Sequence, residues 1–253
     1  MIIKRSDLKF NINLIDSELK LNIDSLEPIK ALEELIKFID NINILIENTC
    51  NVRCLRDGGC CSNETPPISY CQYLLLDNWM KTKEKNFQKS IYEKSLEIQQ
   101  RHKNQYNNYL PLINGLKYSG TKPVNPYNFL YTCPFYDKDH DCTCYTVRSV
   151  PCRLYGTSIR LGKGLLKKAS RNTPFWCDKY EKQFLENYDE NKGVFLYDYI
   201  EIIDFIEKID MKLINGVVYG LIPTWFCRSN EENFDIVKRL VEGEEPKWTP
   251  QHL

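Results

Sequence analysis

Eleven cysteines in 253 residues, nine of them gathered around positions 50–61, 133–152 and 177, constrain this chain more than any other feature. An odd number of thiols cannot all pair, and a chain with 42% hydrophobic residues can bury a core without covalent staples. The clustering therefore calls for a chemical reason, and metal binding or thiol reactivity accounts for it better than a disulfide framework. The first stretch reads Cys50-Asn-Val-Arg-Cys54-Leu-Arg-Asp-Gly-Gly-Cys60-Cys61, where Gly58 and Gly59 allow a sharp turn that points several sulfurs inward. The second runs Cys133-Pro-Phe-Tyr-Asp-Lys-Asp-His-Asp-Cys142-Thr-Cys144, then Tyr145, Arg148 and Cys152-Arg153, with Cys177 beyond it.

From these groups the expected metal ligands are Cys50, Cys54, Cys60, Cys61, Cys133, Cys142, Cys152 and Cys177, while Cys71 and Cys227 stand outside both. Adjacent Cys60 and Cys61 point their side chains apart, so one of them is available to a second site. Thiolate ligands suit zinc and iron–sulfur clusters alike, since both take soft sulfur donors in tetrahedral geometry. Short C-x2-C pairs typical of structural zinc are missing, and single cysteines from scattered segments are ordinary for a cubane, so a 4Fe-4S cluster is the expected cofactor, with zinc as the alternative.

Between Cys142 and Cys177 lie seven basic residues and no acidic one. A centre bound by four thiolates carries excess negative charge, and guanidinium N–H groups stabilise such sulfurs, which gives Arg148 and Arg153 an expected role beside the cofactor. The remaining basic residues, between Thr157 and Arg171, read as a solvated surface hairpin before they read as an RNA-phosphate site. His140 could complete a Cys3His set, but its Asp137, Asp139 and Asp141 neighbours suit an exposed turn better. No hydrolase, P-loop or dinucleotide fingerprint is present, and no catalytic residue can be assigned.

The two stretches together resemble the YkgJ-like cysteine-cluster family, whose pattern is C-x-x-C-x-x-x-C-C followed by C-P-F…C-x-I-Y-x-x-R-P-x-x-C-R. Cys133-Pro134-Phe135, Cys142, Tyr145, Arg148, Cys152 and Arg153 fall at that spacing, and the resemblance covers about Cys50 to Cys177. The chain departs from it in the wider spacing of Cys50, Cys54 and Cys60, in Ser149 after the arginine, and in Cys144 at the isoleucine position. The resemblance implies zinc or iron chelation. Through relatives such as flagellin lysine N-methylases, it also implies an alternative function: an iron–sulfur enzyme that uses S-adenosylmethionine to modify a protein or peptide. The cluster loop C-x3-C-x2-C of radical enzymes is not among these motifs.

Charge is balanced, 34 basic against 34 acidic side chains, so no whole-molecule field steers the protein to nucleic acid or an anionic membrane. The opening MIIKRSDLKF carries charges where a secretory leader has an apolar run, and no window reaches the roughly 20 apolar residues of a spanning helix. The expectation is a cytoplasmic protein with no membrane partner.

The pattern predicts a mainly α (α+β) fold, helices around an irregular cysteine-rich core, as one domain over 1–253. Alternation in Leu8–Leu14 and Leu19–Ile23 predicts an N-terminal β-hairpin. Ser25 is placed to cap a helix carrying Ile29, Leu32, Leu35, Ile36, Ile39 and Ile46. The stretch 77–110, free of Gly and Pro, predicts one or two exposed helices inserted between the cysteine groups, and Phe195–Ile214 predicts an amphipathic helix. Ser229 and Glu232 have capping-box spacing. Because the thiols are read as ligands, mass spectrometry of freshly isolated protein should find few or no disulfides; three or more defined bridges would overturn that reading.

Overall fold

The computed structural model describes residues 10–13, 24–55, 61, 67–101, 112–114, 131–139, 141–155, 157–159, 177–227, 238 and 241–242. Among them are seven helices and eight short strands, a mainly helical fold. The helices are α1 Pro28–Cys50, α2 Tyr70–Lys81, α3 Lys85–Arg101, α4 Val150–Leu154, α5 Asp178–Glu186, α6 Tyr199–Ile214 and α7 Ile222–Phe226. The strands are β1 Phe10–Asn13, β2 Ile68–Ser69, β3 Leu112–Asn114, β4 Tyr136–Asp137, β5 Asp141–Cys142, β6 Ser158–Ile159, β7 Val194–Asp198 and β8 Val217–Gly220. No described helix is long and apolar enough to cross a membrane.

The chain gathers into two compact units, one of Met1–Leu55 with Val150–Ile206, the other of Arg56–Ser149 with Glu207–Leu253. The cysteine-bearing stretch 50–177 contributes to both.

The first unit is built on α1. Pro28 occupies its first turn, where a missing N–H costs nothing, and Glu27, not Ser25, is the N-cap residue. Ala31, Leu32, Leu35, Ile36, Ile39 and Ile46 form a buried stripe at helical spacing. The helix stops at Asn51, whose left-handed φ of 50° is one that asparagine tolerates; the Asn51 N–H closes on the Glu47 carbonyl. Helix α1 packs on β7 and α4. Strand β7 is the centre of a three-stranded parallel sheet in the order β1-β7-β6.

Two expectations change here. Strand β1 falls within the expected 8–14 segment, but its observed neighbour is β7, in parallel, a long-range pairing that local alternation cannot reveal. Residues 19–23, the expected hairpin mate, lie outside the described residues. The expected helix over Phe195–Ile214 begins only at Tyr199; Val194–Asp198 is strand, because Val, Phe, Leu and Tyr in succession suit a sheet position.

The second unit has an aromatic core. Tyr73 of α2 stacks on Trp225 of α7 with centroids 5.0 Å apart, and Phe226 meets Tyr73 and Phe135 edge-on, both at 5.3 Å. The Trp225 indole N–H donates to the Ile68 carbonyl at 3.1 Å, which satisfies the polar tip of a nearly inaccessible ring. Helix α3 packs against α7, with Ile91 in the aromatic core and the Tyr92 ring 6.4 Å from that of Phe226, so the expected exposed insertion is half core: charged residues fill its outer face, while its apolar face closes the aromatic cluster. Strand β8 pairs antiparallel with β2 and β3. Ser229 and Glu232, read as a capping box, lie outside the described residues.

Helix α2 takes its cap from another helix. Ser69 precedes it without a side-chain cap, and the Cys71 N–H instead donates to Oδ1 of Asp210 on α6 at 2.8 Å. Asp210 is fully buried, and burial raises its carboxyl to about 7 from 3.8, against hydrogen bonds from Cys71 and Ser69 that pull it down. A raised carboxyl binds its proton in the folded state where the unfolded chain has lost it. Its contribution to stability is therefore full below pH 3.8 and is lost as pH rises through about 7. Asp210→Asn should remove that decline and be the more stable form above neutrality, by on the order of a few kcal/mol. Urea unfolding at a series of pH values checks this; identical pH slopes for both proteins would contradict it.

Candidate metal centre

Three described cysteines of the second unit meet around one sulfur. The β4–β5 hairpin is closed by a turn in which the Asp139 N–H donates to the Asp137 carboxylate at 2.8 Å, and Asp141 takes a left-handed φ of 59°. Just beyond it, Thr143 is pinned twice to the Phe135 carbonyl, by its N–H at 3.0 Å and its hydroxyl at 2.8 Å. Thr143 and Cys144 form a turn, with Cys144 at φ −102° and ψ 26°, that leads from β5 into a short helical turn at Tyr145–Val147. The Cys142 and Cys144 sulfurs lie 3.6 Å apart. The Cys133 N–H donates to the Cys61 carbonyl at 2.7 Å, which ties the first cysteine stretch to the second. Cys61, Cys133, Cys142 and Cys144 all belong to the aromatic cluster around Phe135 and Phe226.

Cys142 is the charged member. Hydrogen bonds from the Cys144 and Cys61 thiols bring its thiol down to about 3 from 9.0; burial opposes them, and the Cys144 N–H and the charge of Arg148 add to the lowering. Arg148 sits over the Tyr145 ring, 4.1 Å from its centroid. A thiolate held among aromatic side chains is what a soft cation neutralises. With metal–sulfur bonds of about 2.3 Å, two sulfurs on one tetrahedral ion stand about 3.8 Å apart. The 3.6 Å pair fits that spacing. Among the described residues no group of three or more His, Cys, Asp or Glu side chains is placed to hold a metal ion.

Of the eight expected ligands, Cys61, Cys133 and Cys142 fall in this unit: the Cys61 and Cys142 thiols interact, and Cys133 is tied to Cys61 through its backbone. Cys50, Cys54, Cys152 and Cys177 belong to the other. Cys60 and His140 lie outside the described residues. Cys144 was not in the expected set, although its position two residues after Cys142 is the signal that could have placed it there. Arg148 acts on Cys142 as expected of a guanidinium beside thiolate sulfur. Arg153 has a different partner: its buried guanidinium pairs with Asp40 of α1, an ion pair between segments 113 residues apart that no local pattern announces. Cys71 and Cys227 are buried, and burial together with Asp210 holds the Cys71 thiol well above its usual range.

No protein-family model, curated protein or solved structure matches this chain.

A thiol whose folded pKa is depressed stabilises the fold fully above pH 9.0, and that contribution is lost as pH falls through about 3. In reduced, metal-free protein Cys142 should therefore be a thiolate at neutral pH. Arg148→Ala should raise its titration midpoint by removing a nearby positive charge, and Cys142→Ser should abolish the titration. Thiolate ultraviolet absorbance followed against pH is the measurement; an Arg148→Ala curve superimposed on wild type would show that the guanidinium does not act on this sulfur.

Proposed function

We propose that the protein is a cysteine-thiolate metalloprotein whose centre is held by Cys61, Cys133, Cys142 and Cys144, as an iron–sulfur cluster or a zinc ion. The observation that carries this reading is the Cys142–Cys144 sulfur pair at 3.6 Å, with Cys61 on the same thiolate. When bound, the metal would add positive charge to that which thiol donors, the Cys144 N–H and Arg148 already bring to Cys142.

The pair also bears on the kind of centre. Two sulfurs this close suit one metal that takes both: zinc, or one iron of a two-iron cluster. A 4Fe-4S cubane takes one thiolate per iron and would use only one member of the pair in this arrangement; the scattering of thiols over separate segments and the resemblance to the YkgJ-like family support that form. A centre with one exchangeable position would extend the reading to an enzyme that binds S-adenosylmethionine and modifies a protein or peptide.

Anaerobic purification followed by metal and acid-labile sulfide analysis separates these forms, and a spectral change on adding S-adenosylmethionine would reveal an open position. Cys142→Ser and Cys144→Ser should each lose metal, because a missing ligand leaves the remaining thiolates crowded without a cation. Cys71→Ser and Cys227→Ser should keep it, and Arg148→Ala should weaken affinity by about 10–100-fold. Full metal content in Cys142→Ser would dismiss the site.

A further inference from the structure

The turn that carries Cys142 and Cys144 is fastened before, between and after the two thiols. Cys142 ends β5 opposite Tyr136 in the β4–β5 pairing. Thr143 gives both of its bonds to the Phe135 carbonyl, at 3.0 Å from its N–H and 2.8 Å from its hydroxyl. The Cys144 carbonyl accepts the Val147 N–H at 2.9 Å, which closes the helical turn that follows. A backbone held in this way gives the two sulfurs little room to separate, and they stand 3.6 Å apart. Two residues span at most about 7 Å even when fully extended. The turn at Thr143 and Cys144 shortens that reach, towards the Cα separation of about 4.4–6.8 Å that a disulfide bridges.

The two thiols differ in access. Cys144 is 4% exposed, whereas Cys142 is partly exposed, so a reagent from solution meets Cys142 first and Cys144 stands behind it. That is the order of an attacking and a resolving thiol. Cys61 also interacts with Cys142, but it belongs to a distant segment, while Cys144 closes the shortest loop and so loses the least chain entropy on bonding.

We infer that Cys142 and Cys144 form a redox-active dithiol that exchanges with low-molecular-weight disulfides of the glutathione type. The Cys142 sulfur attacks one sulfur of the incoming disulfide, a mixed disulfide forms, and the first small thiol leaves. The Cys144 sulfur then displaces the second small thiol from Cys142. Each cysteine proton ends on a departing thiol: the two cysteines are oxidised to one internal disulfide, the small disulfide is reduced to two thiols, and the reverse sequence restores the dithiol. The couple operates in the metal-free chain, because a disulfide offers no thiolate to an ion; it stands or falls apart from the centre proposed above.

Full-length protein, reduced and stripped of metal with a chelator, is equilibrated with oxidised and reduced glutathione at a series of ratios, quenched, alkylated and digested with trypsin. Cleavage after Lys138 and Arg148 gives one peptide, 139–148, that contains Cys142 and Cys144 and no other cysteine. As the ratio rises this peptide should lose both alkyl labels together and take the mass of an internal disulfide, ahead of any change at the buried Cys71 and Cys227, and excess dithiothreitol should restore both labels. In Cys144→Ser, Cys142 should stop as the glutathione mixed disulfide; in Cys142→Ser, Cys144 should keep its label. A wild-type peptide that stays doubly labelled at every ratio would overturn the inference, as would a bridge from Cys142 to Cys61 or a mixed disulfide that persists in wild type. The wild-type measurement needs no variant to fold. Metal analysis separates the two readings: a doubly labelled peptide in protein that binds metal removes the couple and leaves the centre, whereas a reversible internal bridge in protein that binds none removes the centre and leaves the couple.

Discussion

Holding a charged sulfur inside an aromatic cluster is the constraint around which the second unit is arranged. Burial alone would push the Cys142 thiol up and leave it neutral. Two sulfhydryl donors, one backbone N–H and one guanidinium act against burial, and together they prevail, since the thiol ends far below its ordinary value. Each of those donors depends on a separate piece of fold. Thr143, locked to the Phe135 carbonyl, places Cys144; the bond from Cys133 to the Cys61 carbonyl brings in the first cysteine stretch; the helical turn after Cys144 delivers Arg148 over Tyr145. The aromatic stack of Tyr73, Trp225, Phe226 and Phe135 provides the rigid wall behind them.

Elsewhere the fold solves the opposite problem, how to keep buried polar groups partnered. Asp210 replaces a missing cap on α2 and bears its own desolvation by shifting toward the protonated form. Arg153 is matched to Asp40, and Asn43 satisfies both a carbonyl and a hydroxyl. In each case the partner comes from a distant segment. Removing one member leaves the other buried and alone, which costs more than the pair ever contributed. Such groups hold segments distant in the chain in one register.

Much of the architecture was legible in the residues themselves. The apolar stripe of α1, the helical character of the described part of the 77–110 stretch and that of Tyr199–Ile214 follow from periodicity, because a helix repeats its environment every three to four residues. The cysteine groups pointed to thiol chemistry by spacing alone; in the fold the Cys61 thiol hydrogen-bonds to Cys142, and Cys133 is tied to Cys61 through its backbone N–H. Less legible were the capping of α2 by Asp210, the parallel pairing of β1 with β7, and the strand that precedes α6, where short apolar runs suit either helix or strand.

The sequence by itself singled out cysteine as the candidate ligand and located the most periodic helix, α1, since both depend on residues near one another along the chain. Only the tertiary structure decided how the thiols were shared out, with Cys61, Cys133, Cys142 and Cys144 in one unit and Cys50, Cys54, Cys152 and Cys177 in the other. It also decided that Arg148 serves a sulfur while Arg153 serves a carboxylate. The reason is physical: a charge or a thiol takes its character from whatever packs against it, and such neighbours can come from distant segments, as Cys61 comes to Cys142 and Asp40, 113 residues away, to Arg153.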